Sequence, residues 1–210
     1  MNKIVIIHIG KCGGSTVMHE LISNNINFEK KHVRKFKYES NKTYVIIIRN
    51  PIQRFISAFN WRHYLVTNNL RKFSSWGRRS LKAEKTFFNK YNNIEKFCND
   101  LKENPMILED FDVINHMNMD INFYLQEFID KCPKKQILGV ICTETLKDDV
   151  KNIFDINVIT HKNNNSKYNK IITDKSYEIL KTYLKNDYII IDKMYKQGWI
   201  SDLQYKILKL

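Results

Sequence analysis

The 210-residue chain has little of several things. Its four cysteines, Cys12, Cys98, Cys132 and Cys142, include no pair at C-x-x-C spacing. This excludes a zinc ribbon and a thioredoxin-type pair, and nothing resembles a disulfide scaffold. No apolar run approaches the roughly 18 residues that a membrane-spanning helix needs. The run near the start, KIVIIHI, is too short to span and no small-residue cleavage site follows it. There is no internal repeat and no low-complexity linker. These absences lead us to expect a soluble, reduced, cytoplasmic protein. Acidic residues are also scarce: 22 Asp and Glu stand against 35 Lys and Arg, a formal net charge of +13. Such a surplus points to an anionic partner, and reads equally as compositional bias on a solvated surface. With 43% hydrophobic and 27% charged residues, the chain is close to globular averages, which excludes wholesale disorder. Its length suits one domain with its own core.

What is present is an α/β pattern. Residues 3–9 form a continuous β-branched run, the pattern of a buried strand in a parallel sheet. Gly10 ends it, and residues 15–22 follow with helical spacing (Val17, Met18, Leu21, Ile22). Residues 43–48 (TYVIII) make a second buried strand that runs into Arg49-Asn50-Pro51. Pro51 suits a first helical turn, and Ile52, Phe55, Ile56 and Phe59 lie on one helical stripe. Such a βαβα opening implies a parallel sheet covered by helices. Residues 68–92 are basic and aromatic without a clear period, and read as an irregular insertion or lid on a single 1–210 domain. Helical patterns return at 93–103 and 120–130. A third strand is expected at 136–142, a helix at 144–154 and a short strand at 157–160. A polar loop follows at 161–170. Residues 174–197 are helical with a break near Asn186, and Ser201 caps a last helix through Leu208.

Two segments carry chemistry. In Gly10–Thr16 (GKCGGST) a strand delivers a Gly-rich turn onto a helix start, where free N–H groups and the positive dipole end attract anions. Gly13 and Gly14 permit close backbone approach, Ser15 and Thr16 add hydroxyls, and Lys11 adds a cation. A Walker A loop places its Lys after the glycines; here Lys11 precedes them, which weakens an ATPase or GTPase reading. The second segment is Arg49–Ser57, at the carboxyl end of a strand where open α/β sheets bind ligands. Arg49 can grip a phosphate by two parallel hydrogen bonds. Alone, Arg49 and Ser57 read as a surface cation and a neutral helix residue. Together the two segments suit a ligand with two separate phosphate ends.

At this point the chain resembles the sulfotransferases that use 3′-phosphoadenosine 5′-phosphosulfate (PAPS). IHIGKCGGST is similar to that family's 5′-phosphosulfate loop, written like HIPKTGGTS. YVIIIRNPIQRFISAF is similar to its 3′-phosphate motif, written like fVRNPxxRxxSxY. The likeness is closest to the branch of carbohydrate sulfotransferases and many bacterial relatives. Weaker echoes are ICTETLKDD, similar to "fE-x-L-x-x-D", and HKNNNSK followed by YLKNDYIIIDKMY, similar to the late "N-x-S … Y-x-x-D-x-x-x-Y". Gly10 replaces the usual Pro, and Cys12 a Thr or Ser.

The resemblance implies a P-loop-NTPase-like α/β fold, with a central parallel sheet and helices on both faces. It implies transfer of the sulfuryl group from PAPS to an acceptor hydroxyl, such as that of a carbohydrate, by in-line displacement. Adenosine 3′,5′-bisphosphate (PAP) is the product, and no metal is called for. Lys11 would stand at the bridging oxygen. Cys12, Gly13, Gly14, Ser15 and Thr16 would cradle the 5′-phosphate with it. Arg49 and Ser57 would hold the 3′-phosphate, with Asn164 and Ser166 near the nucleotide. For the base, His32, between the two motifs, is the first choice and His63, in a W-R-H context, the second; His116 and a carboxylate stay open. Phe73, Trp76, Arg78 and Arg79 suit an anionic contact or an ordinary surface. The competing functions are a nucleotide kinase-like phosphotransferase and, third, a basic nucleic-acid-binding protein, although no nucleic-acid motif is present.

Overall fold

The computed structural model describes residues 3–32, 35–70, 77–111, 114, 116–159 and 171–210, with only the backbone at 77–80. The chain divides into two compact units. The first holds residues 1–51, 121–165 and 186–210; the second holds 52–120 and 166–185.

The first unit is built on four parallel strands, β1 (Lys3–His8), β2 (Glu29–His32), β3 (Lys42–Ile48) and β4 (Ile137–Cys142), in the order β2-β1-β3-β4. The expected α/β class is present. Val5, Ile6 and Ile7 of β1 and Val45, Ile46 and Ile47 of β3 are all fully buried. This is why both strands read as unbroken apolar runs: a strand covered on both faces has no solvent side to alternate with. Each such Val or Ile contributes about 1.5–3 kcal/mol by burial.

β2 is different. Its sequence, EKKH, carries no apolar signal, and none was legible before the sheet formed. It is an edge strand stabilised by charge. Glu29 lies 3.0 Å from Lys42 and 3.4 Å from Lys3, and Lys31 pairs with Glu39. The alternation of a strand puts Glu29 and Lys31 on one face, Lys30 and His32 on the other.

The helices of this unit are α1 (Gly14–Ser23), α5 (Ile121–Ile129), α6 (Leu146–Phe154), α8 (Lys185–Lys196) and α9 (Asp202–Lys209). α6 follows β4 through one turn of 3-10 helix, Thr143–Thr145. The predicted cap on α9 is present as a full capping box between Ser201 and Gln204. The Gln204 Nε2 also donates to the carbonyl of Val140 on β4 at 2.9 Å. Residues 155–159 form no strand, contrary to the expectation for 157–160, whose last residue lies outside the described ones. The apolar pair Val158 and Ile159 is not buried, so no sheet edge rewards an extended ladder there.

The second unit is helical. α2 (Pro51–Thr67) carries the chain into it, and α3 (Gly77–Lys90), α4 (Ile94–Glu103) and α7 (Asp174–Tyr183) complete it. Phe55, Phe59, Phe87, Tyr91 and Phe97 form its core, with ring centroids 4.9–6.3 Å apart. α3 falls where an irregular insertion was expected. The buried positions Glu84, Phe87, Phe88 and Tyr91 have helical spacing, but a carboxylate opens the stripe and hides it. That carboxylate is matched by Arg62 of α2, whose Nε and Nη2 donate to Glu84 at 2.7–3.0 Å.

All four cysteines are free and buried. Burial pushes the Cys98 thiol up to about 11 and Cys132 up to about 12, so they act as small apolar residues. No helix among the described residues is long and apolar enough to cross a membrane.

Candidate anion-binding site

The carboxyl ends of β1, β3 and β4 converge on the turn that enters α1. β1 ends at His8, and the chain then turns through Gly10 to Gly13. Lys11 and Gly13 both adopt left-handed backbone, φ 71° and 77°. For a residue with a Cβ this conformation costs about 1–2 kcal/mol, so Lys11 is a strained residue inside the loop. Gly13 is the N-cap of α1 and no side chain caps the helix. The Thr16 N–H donates to the Gly13 carbonyl at 3.0 Å, and the N–H groups of Gly14 and Ser15 before it are left to solvent or to a ligand.

Two glycines are needed for different reasons. Gly13 requires its positive φ. Gly14 is required by a close approach: a Cβ there would stand 2.1 Å from Cδ2 of His8 and 2.4 Å from its Nε2. Ser15 is exposed and Thr16 buried, so only the first hydroxyl faces outward. Cys12 is fully buried, and its Sγ lies 3.8 Å from the carbonyl of Gly10. Cys12 therefore packs the loop, and its contribution to a cradle is its backbone.

Arg49 leaves the end of β3 and reaches this loop. Its Nη1 donates to the carbonyl of Lys11 at 3.5 Å, and its Nε lies 3.7 Å from Oε1 of Glu144. Glu144 also accepts from the Asn50 N–H at 3.3 Å. Burial pushes the Glu144 carboxyl up, and the Arg49 charge pulls it back. Glu144 was missed as a site residue; its only signal was the segment ETLKDD. The structure gives that segment a physical reading. Glu144 touches Arg49, and Leu146 Cδ1 lies 3.0 Å from where a Cβ on Gly13 would be. Asp149 accepts from the Cys142 N–H and from Thr145 Oγ1, both at 2.8 Å.

His32 is brought to the same end of the sheet. The parallel register sets it opposite His8, and the two imidazoles stack at 4.2 Å with 14° between their planes. The Nδ1 of His32 lies 2.7 Å from the carbonyl of His8. A carbonyl only accepts, so Nδ1 carries the proton and Nε2 the lone pair. Burial pulls the His32 imidazole below 6.5, partly offset by that hydrogen bond, and Lys30 adds to the depression. Burial holds His8 down to about 3, helped by His32, Lys30 and Lys11. Both rings are neutral near pH 7.

The remaining candidates belong to the second unit or fall outside the described residues. Ser57 and His63 are on α2 in the second unit. His63 stacks on Phe59 at 6.2 Å and meets Phe88 edge-on at 5.4 Å, so its ring is part of the aromatic core. His116 lies in the same unit at φ 68°. Its carbonyl accepts from Nη2 of the fully buried Arg54 at 2.9 Å. Asn164, Ser166, Phe73 and Trp76, and the side chains of Arg78 and Arg79, lie outside the described residues. No group of three His, Cys, Asp or Glu among the described residues is arranged to hold a metal ion.

The chain matches no protein-family model, no curated protein and no solved structure.

Proposed function

We propose that this protein is a sulfotransferase that moves the sulfuryl group of PAPS to an acceptor hydroxyl. The observation that carries the reading is the contact of Arg49 with the loop. Arg49 lies 38 residues from Lys11 in sequence, yet its guanidinium donates to the Lys11 carbonyl. The two motifs that point to the two ends of one nucleotide are thus neighbours in space. An uncapped helix start, a glycine that admits no Cβ and two cationic residues suit a phosphate.

In the proposed reaction the acceptor oxygen forms a bond to sulfur while the bond from sulfur to the bridging oxygen of the 5′-phosphate breaks. The backbone from Lys11 to Thr16 binds and orients the 5′-phosphate. The Lys11 ammonium offsets the charge that develops on the leaving oxygen, a role whose loss lowers kcat about 10²–10³-fold. Arg49 grips the second phosphate, exchanging part of its contact with Glu144 for that ligand. Nε2 of His32 takes the acceptor proton. Ser57, Asn164 and Ser166 enter the proposal through the motifs alone.

The test is PAP binding. Millimolar PAP is expected to raise Tm, since a ligand at one hundred times its Kd stabilises by about 2.7 kcal/mol. The shift should shrink strongly in Arg49→Ala and in Lys11→Ala. Absence of any shift in the wild-type chain overturns the proposal. A screen of hydroxyl acceptors with labelled PAPS then identifies the substrate.

A further inference from the structure

We propose that His8 is a positioning residue: one side chain, touching both the anion loop and His32, holds the base at a set distance from the phosphate cradle. The inference rests on the reading of His32 as the base. It comes from three contacts that meet on one ring.

First, the His8 imidazole lies face to face with His32, at 4.2 Å and 14°. Second, its Cδ2–Nε2 edge lies so close to Gly14 that no Cβ fits between them. Third, the main chain of the same residue fixes the tautomer of His32 by accepting from Nδ1 at 2.7 Å. The stack sets the plane of the base, the carbonyl sets its proton, and the contact with Gly14 ties both to the first residue of α1.

The ring does this by shape and not by hydrogen bonding. His8 is 7% exposed and its Nδ1 has no hydrogen-bond partner among the described residues. A buried polar atom left in that state is a cost, so what the ring contributes is its flat shape. It presents a face to His32 and a thin edge to Gly14, whereas a branched aliphatic chain offers neither. A base aligned in this way keeps its lone pair in one direction, which is what positioning contributes to a transfer step.

The experiment is nitrogen-15 NMR of the histidine side chains in the full chain, with PAP as the only added ligand. In the wild-type protein His32 is expected as the Nδ1–H tautomer, titrating below 6.5. His8→Phe keeps a flat ring and should preserve both properties. His8→Leu keeps bulk but removes the flat face. With no flat face against it the His32 ring should swing off the His8 carbonyl, so its Nδ1–H signal broadens and exchanges faster with water. Gly14→Ala, which pushes on His8 from the loop side, should disturb His32 in the same way. An unchanged His32 in both His8→Leu and Gly14→Ala overturns the proposal, as does a wild-type His32 with its proton on Nε2. PAP binding is read separately from Tm. If the His32 responses appear but PAP leaves the wild-type Tm unmoved, the coupling of the two rings stands and the sulfotransferase reading fails.

Discussion

Burial holds the His8 imidazole down to about 3 in the folded chain, against about 6.5 in an unfolded one. Between these values the unfolded chain binds a proton that the folded chain does not. Stability therefore rises with pH across this window and is fully present above about 6.5. The slope from one such group is about 1.4 kcal/mol per pH unit. We expect the free energy of unfolding in urea to fall by about 2 kcal/mol between pH 6.5 and pH 5 on account of His8. His8→Phe should lose distinctly less over the same interval, because the comparison of two chains cancels the other titrating groups. Equal acid slopes would show that His8 is not held neutral. The Gly-Gly step was legible as a tight strand-to-helix turn from residue types alone. The reason Gly14 tolerates no side chain was not, because it lies in a ring that the sheet places beside it.

At the level of elements, charged pairs decided what apolar periodicity did not show. β2 and α3 were both illegible for the same reason: a charged side chain stands where the pattern calls for an apolar one. In β2 Glu29 is matched by Lys3 and Lys42, and Lys31 by Glu39, and in α3 Glu84 is matched by Arg62. The Arg62–Glu84 pair joins α2 to α3 with both groups at least 94% buried. Removing one partner leaves a desolvated charge, so Glu84→Ala is expected to cost about 3–5 kcal/mol in urea unfolding. The double replacement Arg62→Met with Glu84→Leu should recover most of that loss, because an apolar pair of similar bulk carries no desolvation penalty. A cost for Glu84→Ala near that of a surface substitution, below about 0.5 kcal/mol, would contradict the buried bidentate geometry.

For the whole molecule the governing quantity is the surplus of positive charge, 35 Lys and Arg against 22 Asp and Glu. Part of it is neutralised locally, as with Lys3, Lys31 and Lys42. Lys30 shares its strand face with His32 and acts on both imidazoles, so positive potential reaches the candidate site. A field of this kind raises the arrival rate of an anion by about 10–10³-fold and weakens with salt. The association rate of PAP should accordingly fall at least about tenfold from low salt to about 0.5 M, with a much smaller change in its dissociation rate. A rate that ignores ionic strength would reduce the surplus to compositional bias.

The sequence by itself determined the α/β class, the strand-to-helix turn at Gly10–Thr16 and the strand end at Arg49. These are local matters of apolar runs, of glycine and proline placement and of charge. Only the tertiary structure decided that Arg49 reaches Lys11, that Glu144 stands beside it, and that His32 lies on His8. Each of those contacts joins residues 24 to 95 positions apart. Strand order and parallel register create them, and neither is a property of any local segment.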